Sequence, residues 1–180
     1  MTSGEELAEF AEAASLQLRR TAFLLCGDWH TAEDLVQTTL AKVFVSWRKI
    51  RRRDAVGAYA VRTLVNTYLA DKRSKRTAEI VTDRLPECPV EPHALETRIV
   101  VLGALAALPP RARAVVVLRY WEDLSVDQVA AVLGCSAGNV KSLSAGALGK
   151  LRAVLDGALT GYGQAGRRPE DHEVGDARHG

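Results

Sequence analysis

Residues 108–152, LPPRARAVVVLRYWEDLSVDQVAAVLGCSAGNVKSLSAGALGKLR, hold the local signals that decide the fold. Pro109 and Pro110 stand where proline is tolerated, in the first turn of a helix that we expect to run to about Trp121. Further along, the apolar residues keep the spacing of one helix face across a turn. They are Val129, Ala130, Leu133, Val140, Leu143, Ala147, Leu148 and Leu151. The stretch therefore predicts three successive helices.

Capping residues divide these helices at definite positions. Ser125 followed three residues later by Gln128 has the spacing of a capping box at the start of the second helix. Gly134 suits the left-handed position that ends this helix, and Ser136 can cap the third. This order of elements predicts a helix-turn-helix motif, in which the third helix reads DNA.

The outward face of the third helix is built from short side chains. At about 100° per residue, Val140, Leu148 and Leu151 fall on one side of the helix, and Lys141, Ser142 and Ala145 fall on the other. A face of small and polar groups can approach base-pair edges closely. The alternative is a helix that packs on another helix through its small residues, but the capped turn before it favours DNA. The candidate DNA-contacting residues are Ser136, Asn139, Lys141, Ser142, Ala145 and Arg152.

Composition predicts an all-α protein with an uneven charge distribution. Leu, Ala and Val dominate the 180 residues, and runs of alternating apolar and polar residues are absent. The net charge of +2 combines a balance of −4 over residues 1–45 with a balance of +8 over residues 46–76. Because eight excess positive charges lie within one short stretch, we expect a polyanion partner there rather than a merely solvated face.

Several function classes are not supported by the sequence. The three cysteines lack CxxC spacing and the four histidines are scattered, so we expect no metal site and no disulfide framework. We find no catalytic constellation, so we expect neither an enzyme nor a cofactor. A signal peptide and an apolar run near 18 residues are also missing, which predicts a soluble, cytoplasmic protein with no membrane insertion.

The chain divides into two small helical domains joined by a flexible acidic linker. Residues 77–94 form this linker, with three prolines and four acidic residues against one arginine. The two domains span residues 1–76 and 95–158, and residues 159–180 are a charged, glycine-rich tail that we expect to be disordered. The helices expected outside the helix-turn-helix motif are 5–25, 31–48, 54–73 and 95–107.

The helix over residues 54–73 has a basic face that carries an aromatic residue. Tyr59, Arg62, Asn66 and Arg73 gather opposite its apolar stripe, and a basic loop, Ile50 to Asp54, precedes it. Aromatic and basic groups on one face are typical of surfaces that stack unpaired bases. The alternative packs the Tyr59 ring against a neighbouring helix, and the sequence alone does not decide between the two.

The helix over residues 31–48 has a milder outward face. Its expected buried stripe is Val36, Leu40, Val43, Phe44 and Trp47. Its outward residues, which carry little charge, are Asp34, Gln37, Thr38 and Ala41. We expect this face to meet a protein partner, since a solvated face would usually carry more Lys and Glu.

Three motifs together resemble the extracytoplasmic-function (ECF) group of bacterial sigma factors, of the actinobacterial kind. AEDLVQTTLAKVFVSW, from Ala32 to Trp47, is similar to the family's polymerase-clamp helix. VRTLVNTYLADKRSKR, from Val61 to Arg76, is similar to its promoter-melting and −10 helix. The helix-turn-helix motif is similar to its −35 domain, and the resemblance covers about residues 15–155.

The resemblance implies a factor that joins core RNA polymerase, through its beta and beta-prime subunits, and directs it to promoter DNA. It implies polymerase contacts at Asp34 and Gln37, on the face that also holds Thr38 and Ala41. The −35 element would be read by the third helix, and an anti-sigma factor would restrain the protein. The residues expected to bind the −10 element are Arg51, Arg52, Arg53, Asp54, Tyr59, Arg62, Asn66, Lys72 and Arg73.

Two other functions each explain only part of the sequence. A stand-alone helix-turn-helix regulator explains residues 108–155 but not the basic helix at 54–73, and the sequence shows no dimerisation seam for two half-sites. A protein that only sequesters a partner explains Asp34 and Gln37 but not the charge asymmetry.

Overall fold

The computed structural model describes residues 3–50, 55–78 and 92–165, and within these ranges the chain is helical with short connections and no strand. This confirms the predicted all-α class. The elements are α1 (Ser3–Cys26), α2 (Trp29–Ser46), a 3₁₀ turn (Trp47–Lys49), α3 (Val56–Ala78), α4 (Pro92–Ala106), α5 (Pro110–Val116), a π-helical turn (Val117–Trp121), α6 (Val126–Leu133) and α7 (Ala137–Ala165). We call α1–α3 the first region and α4–α7 the second region.

The connection between α1 and α2 is a capped turn. Gly27 adopts a φ of +78°, and its N–H donates to the Phe23 carbonyl at 2.7 Å, which ends α1. The Asp28 carboxylate accepts from both the backbone N–H and the hydroxyl of Thr31, each at 2.8 Å. The cap of α2 is therefore Asp28, because a carboxylate before the first turn satisfies the exposed N–H groups of the helix.

The helix-turn-helix motif forms as its sequence predicts. The Ser125 hydroxyl accepts from the Gln128 N–H at 3.2 Å, and the Gln128 side chain accepts from the Ser125 N–H at 2.7 Å, which completes the capping box. Gly134 ends α6 with a left-handed φ of +61°. The Ser136 hydroxyl accepts from the Asn139 N–H at 3.2 Å and caps α7. These bonds fix the direction of α7 relative to α6.

Two expected boundaries differ from the structure. α7 continues to Ala165, so residues 159–165 are helical rather than a disordered tail, because each added helical residue gains a backbone hydrogen bond without a new nucleation cost. α3 reaches Ala78 and α4 begins at Pro92, inside the expected linker, where proline suits a first helical turn. The rest of the expected linker and tail, residues 79–91 and 166–180, lies outside the described residues.

Phe44 does not belong to the buried stripe of α2, contrary to expectation. Its side chain is 63% exposed, and the adjacent Val45 is 77% exposed. The residues of α2 that are buried are Ala32, Leu35, Val36, Thr39 and Val43. α2 packs against both α1 and α3, and these two helices cover the arc centred on Val36 and Val43. Phe44 lies about 100° around the helix from Val43 and is left uncovered.

The two regions share a hydrophobic core. Buried side chains of the first region, such as Leu18 and Leu64, belong to the same cluster as Val115, Leu118 and Val129 of the second region. Contacts run from α1 to α4, α5 and the π-helical turn, and from α3 to α5 and α6. The apolar residues of the two regions are therefore buried partly by each other.

We expect the α2 cap to contribute measurably to stability. Asp28→Ala should lower the free energy of unfolding by about 1 kcal/mol, whereas Asp28→Asn should retain most of it, because an amide oxygen can still accept from Thr31. Urea titrations followed by circular dichroism measure both.

The Asp28 effect should also depend on pH. Hydrogen bonds from Thr31 lower the pKa of the Asp28 carboxyl from 3.8. A lowered folded-state pKa means that the stabilisation is present above the unfolded value and is lost as the pH falls through the folded value. The stability gap between the wild type and Asp28→Ala should therefore narrow in acid, and a constant gap down to pH values near about 2 would contradict this.

Candidate nucleic-acid and protein interfaces

The outward surface of α7 is exposed as the sequence predicts. We define the α7 face as Ser136, Asn139, Lys141, Ser142, Ala145 and Arg152, all of which are exposed. On the opposite side, Val140 is fully buried and Ala147 is 2% exposed. Since Val140 and Ala147 anchor the helix to the core, the α7 face points to solvent on a rigid support.

The serines around the α7 face have different roles. The Ser136 hydroxyl caps α7 by accepting from the Asn139 N–H. A ligand that bound this hydroxyl would either replace that hydrogen bond or add a second one. Ser144 is buried, and its hydroxyl lies 3.2 Å from the Tyr120 hydroxyl. Ser142 is exposed, and it is therefore the hydroxyl best placed to reach a ligand along the middle of the face.

The expected basic surface of α3 is present but not uniformly exposed. We define the α3 face as Tyr59, Arg62, Asn66, Lys72 and Arg73. Arg62, Asn66 and Arg73 are exposed, whereas Tyr59 and Lys72 are half-buried. The Lys72 ammonium lies 5.8 Å from the centre of the Tyr68 ring, in cation–π range. The expected loop residues Arg51, Arg52, Arg53 and Asp54 lie outside the described residues.

Tyr59 packs against the core and also borders the surface. Its ring packs with the buried cluster, and its hydroxyl donates to the Ser46 hydroxyl at 2.9 Å. The alternative in which Tyr59 packs against a neighbouring helix is therefore partly correct, because its hydroxyl is hydrogen-bonded to Ser46 of α2. One part of the ring remains beside Arg62 in a cleft of about 530 Å³.

Lys42 is a basic residue of this cleft that the sequence did not single out. Its ammonium donates to the Thr67 hydroxyl at 2.8 Å, which draws it from α2 to the edge of the α3 face. It lines the same cleft as Tyr59, Arg62 and Asn66. The spacing of residues within α2 does not reveal that the Lys42 side chain lies beside α3, because this position depends on how the two helices pack.

The outward surface of α2 combines polar and apolar groups. We define the α2 face as Asp34, Gln37, Thr38 and Ala41, which are all exposed. The exposed Phe44 and Val45 follow one turn later and continue this face with apolar surface. A polar part beside exposed aromatic and aliphatic side chains is the composition of a protein-binding surface.

Two titratable groups lie where α1 meets α3: Tyr68 is buried and Cys26 is half-buried. Burial raises the pKa of the Cys26 thiol to about 11 and that of the Tyr68 hydroxyl to about 12. Both groups are therefore neutral at physiological pH. A neutral, desolvated thiol is a weak nucleophile, so Cys26 is a packing residue rather than a reactive one.

The described ranges contain neither a candidate metal cluster nor a candidate membrane-spanning helix. Among those residues, no three His, Cys, Asp or Glu side chains come together in a way that could hold a metal ion. None of the helices described there has the length and apolar character needed to cross a membrane.

Two family models match the chain in order. Residues 10–77 match sigma-70 region 2, and residues 104–153 match sigma-70 region 4. The first range contains the α2 and α3 faces. The second contains the helix-turn-helix motif and the α7 face.

The chain is similar to several curated proteins over most of its length. It is 38% identical to the RNA polymerase sigma-E factor of Streptomyces coelicolor over 154 residues, which cover 83% of this chain and 86% of that protein. It is 33% identical to the ECF RNA polymerase sigma factor SigL of Mycobacterium tuberculosis over 151 residues, covering 77% and 82% of the two chains.

A solved structure has a similar fold. The sigma factor RpoE of Bartonella quintana, determined in complex with the anti-sigma factor NepR, superposes with a TM-score of 0.70 at 24% identity. The match covers 82% of this chain and 97% of that one. The arrangement of helices described above thus occurs in an experimental structure.

The bond between Tyr59 and Ser46 should be visible in stability measurements. Tyr59→Phe and Ser46→Ala should each lower the free energy of unfolding by about 0.5–1.5 kcal/mol, because each removes one half-buried hydrogen bond. The double variant should lose little more than either single variant, since both changes break the same bond. Fully additive losses would show that the two hydroxyls do not interact.

Proposed function

The chain belongs to the sigma-70 family of RNA polymerase sigma factors, within its ECF group, and from this premise we propose which of its surfaces perform each step. As a sigma factor, it binds core RNA polymerase and directs promoter recognition, DNA melting and transcription initiation. The observation that carries this function is the match of both sigma-70 regions, in order, on one chain. We assign residues 1–76 to polymerase and −10 binding and residues 95–158 to −35 binding, with 77–94 connecting them.

The α2 face is our candidate for polymerase binding. Asp34 and Gln37 supply a carboxylate and an amide on an exposed helix surface that carries no other formal charge. Phe44 and Val45 add apolar area that water covers in the free chain. Burying these two side chains against the polymerase would contribute free energy in proportion to the apolar surface removed from water.

The α3 face is our candidate for the −10 element. Arg62 and Arg73 supply positive charge, the Asn66 amide can pair with a base edge, and Lys42 adds a cation at the same cleft. The cleft of about 530 Å³ between α2 and α3 offers space for an unstacked base. Residues Arg51 to Asp54, which precede α3 in the sequence, would add three positive charges and one negative charge. Strand melting needs such contacts to offset the free energy of unstacking.

The α7 face is our candidate for the −35 element. The capping box of α6 and the Gly134 turn present the N-terminal half of α7 as a recognition helix. Asn139, Ser142 and Ala145 are short side chains that would reach base edges or thymine methyl groups. Lys141 and Arg152 carry the charge of the face and would meet phosphates.

Further properties follow from this role. We propose that the protein acts in the cytoplasm, where core polymerase and promoters are found, and that it works without a cofactor or an enzymatic step of its own. We also propose that an anti-sigma factor restrains it, by covering the surfaces that polymerase and DNA need.

The polymerase assignment is tested by run-off transcription with purified core polymerase and a promoter library. Wild-type protein should direct transcripts that core polymerase alone does not make. Asp34→Arg should weaken binding to core by at least about tenfold, equivalent to about 1.4 kcal/mol, because it reverses a charge at the centre of the face. Glu12→Arg, an equal charge change at an exposed position of α1, is the matched control. If the two variants bind core equally well, the α2 face is not the contact.

The −35 assignment is tested with the selected promoters at two salt concentrations. Lys141→Ala should weaken binding to all −35 sequences alike and reduce the salt slope by about one, because it removes one phosphate contact. Asn139→Ala or Ser142→Ala should instead change which bases are preferred, by about 1–3 kcal/mol per lost contact.

Lys150→Ala is the matched control for Lys141→Ala. Lys150 is an exposed lysine nine positions along α7, about 180° around the helix from Lys141. Suppose instead that Lys141→Ala weakens the base preference at one −35 position, while Asn139→Ala and Ser142→Ala leave the base preferences unchanged. Lys141 would then contact a base, and Asn139 and Ser142 would not.

A further inference from the structure

A cleft of about 630 Å³ opens between α1, the first turns of α3, and α6 with the turn before it. Most of the residues that line it are small or aliphatic, and they include Ala14, Leu18, Ala58, Leu124, Ala131 and Val132. Because several of these side chains are short, space remains between the helices after they pack. Clefts of this volume with mostly apolar walls are typical of small-molecule sites.

One half-buried carboxylate, that of Glu122, lines this apolar cleft. It accepts a short hydrogen bond from the hydroxyl of Thr21, which is fully buried on α1. Both of its oxygens lie 3.3 Å from the Gln17 amide nitrogen, and Gln17 also lines the cleft. These partners are neutral, and no Lys or Arg of the described residues forms an ion pair with Glu122. The negative charge is therefore held in place without being neutralised.

The other charged residue of the lining is Arg62. Arg62 is exposed, whereas Glu122 is half-buried. Water and salt screen an exposed charge more strongly than a partly buried one. We therefore expect Glu122, rather than Arg62, to determine which charge a bound molecule carries.

We propose that this cleft binds a small apolar molecule that carries one ammonium group. Its hydrocarbon part would lie against Leu18, Leu124 and Val132, and would contribute free energy in proportion to the apolar surface that it buries. Its ammonium would donate to the Glu122 carboxylate in a charge-assisted hydrogen bond. A carboxylate has about four acceptor positions, so the bonds from Thr21 and Gln17 leave room for this donor.

The site requires both regions of the chain. Leu18 and Ala58 belong to the first region, whereas Glu122, Leu124 and Val132 belong to the second. The proposal does not depend on the roles assigned to the α2, α3 and α7 faces, because it uses only the walls of the cleft and the charge of Glu122.

The first experiment compares three fluorescent probes that share one apolar body. Pyrenemethylamine, pyrenemethanol and pyrenecarboxylate are titrated into the full-length protein, and pyrene fluorescence reports transfer into the apolar cleft. The amine should bind about tenfold more tightly than the alcohol, because a hydrogen bond to a charged group is stronger than one between neutral groups. The carboxylate should bind most weakly. If the carboxylate binds as tightly as the amine, or more tightly, the proposal is overturned.

The second experiment removes the charge of Glu122 but keeps its shape. Glu122→Gln should lower the affinity for pyrenemethylamine by about tenfold, to the level of pyrenemethanol, and leave the affinity for pyrenemethanol unchanged. The amide oxygen of the variant can still accept from Thr21. Asp127→Asn makes the same change in net charge at an exposed position of α6 outside the cleft, and is the matched control. Equal losses in the two variants would show that the amine responds only to net charge, and would overturn the site.

The third experiment fills the cleft. Ala131→Phe places a ring in the space that the apolar body needs, and should weaken the binding of all three probes by at least about tenfold. Ala153→Phe, at an exposed position of α7 outside the cleft, should bind them as the wild type does. A circular-dichroism spectrum identical to that of the wild type shows that each variant is folded. If folded Ala131→Phe still binds the probes with wild-type affinity, they bind elsewhere and the cleft is not the site.

Discussion

The arrangement of this sigma factor depends on how one buried cation is accommodated. Arg113 lies at the junction of the two regions, and its guanidinium donates to the carbonyls of Leu25 and Ala106 at the ends of two helices. Hydrogen bonds to a charged group contribute about 1.5–3 kcal/mol each, and a buried cation without them is strongly unfavourable. The apolar residues around Arg113 can therefore be buried only when α1 and α4 end where they do.

Local hydrogen bonds and turns orient the two helices that carry the proposed polymerase and −35 interfaces. In the second region, Ser125, Gln128 and Gly134 hold α6 and α7 at one angle, so the α7 face is presented by bonds within a few residues of each other. In the first region, Gly27 and Asp28 reverse the chain so that α2 packs on both α1 and α3. Recognition surfaces on such rigid elements lose little conformational freedom on binding.

The separation of charge along the chain parallels the different roles that we propose for the α2 and α3 faces. The acidic first 45 residues carry the α2 face, whereas the strongly basic stretch that follows carries the α3 face. Packing changes this pattern at one residue. Lys42 belongs to the acidic segment, but its ammonium donates to Thr67 of α3 and lies at the basic cleft. Glu122 acts in the opposite sense, since it brings a carboxylate from the second region to a neighbouring cleft that Tyr59 and Arg62 also line.

The sequence by itself determined the helices, the helix-turn-helix caps, the family and the exposed residues of the α2 and α7 faces. The helices, caps and faces depend on periodicity and on capping residues a few positions apart, which a sequence displays directly, and the family follows from the resemblance of three motifs. Only the tertiary structure decided that Phe44 is exposed, that Tyr59 is half-buried against Ser46, and that Lys42 lines the α3 cleft. Only the tertiary structure, again, placed Glu122 against Thr21 and Arg113 against Leu25. Each of these contacts depends on which helices pack together. That packing is set by the burial of residues far apart in the chain, and the spacing of neighbouring residues gives no information about it.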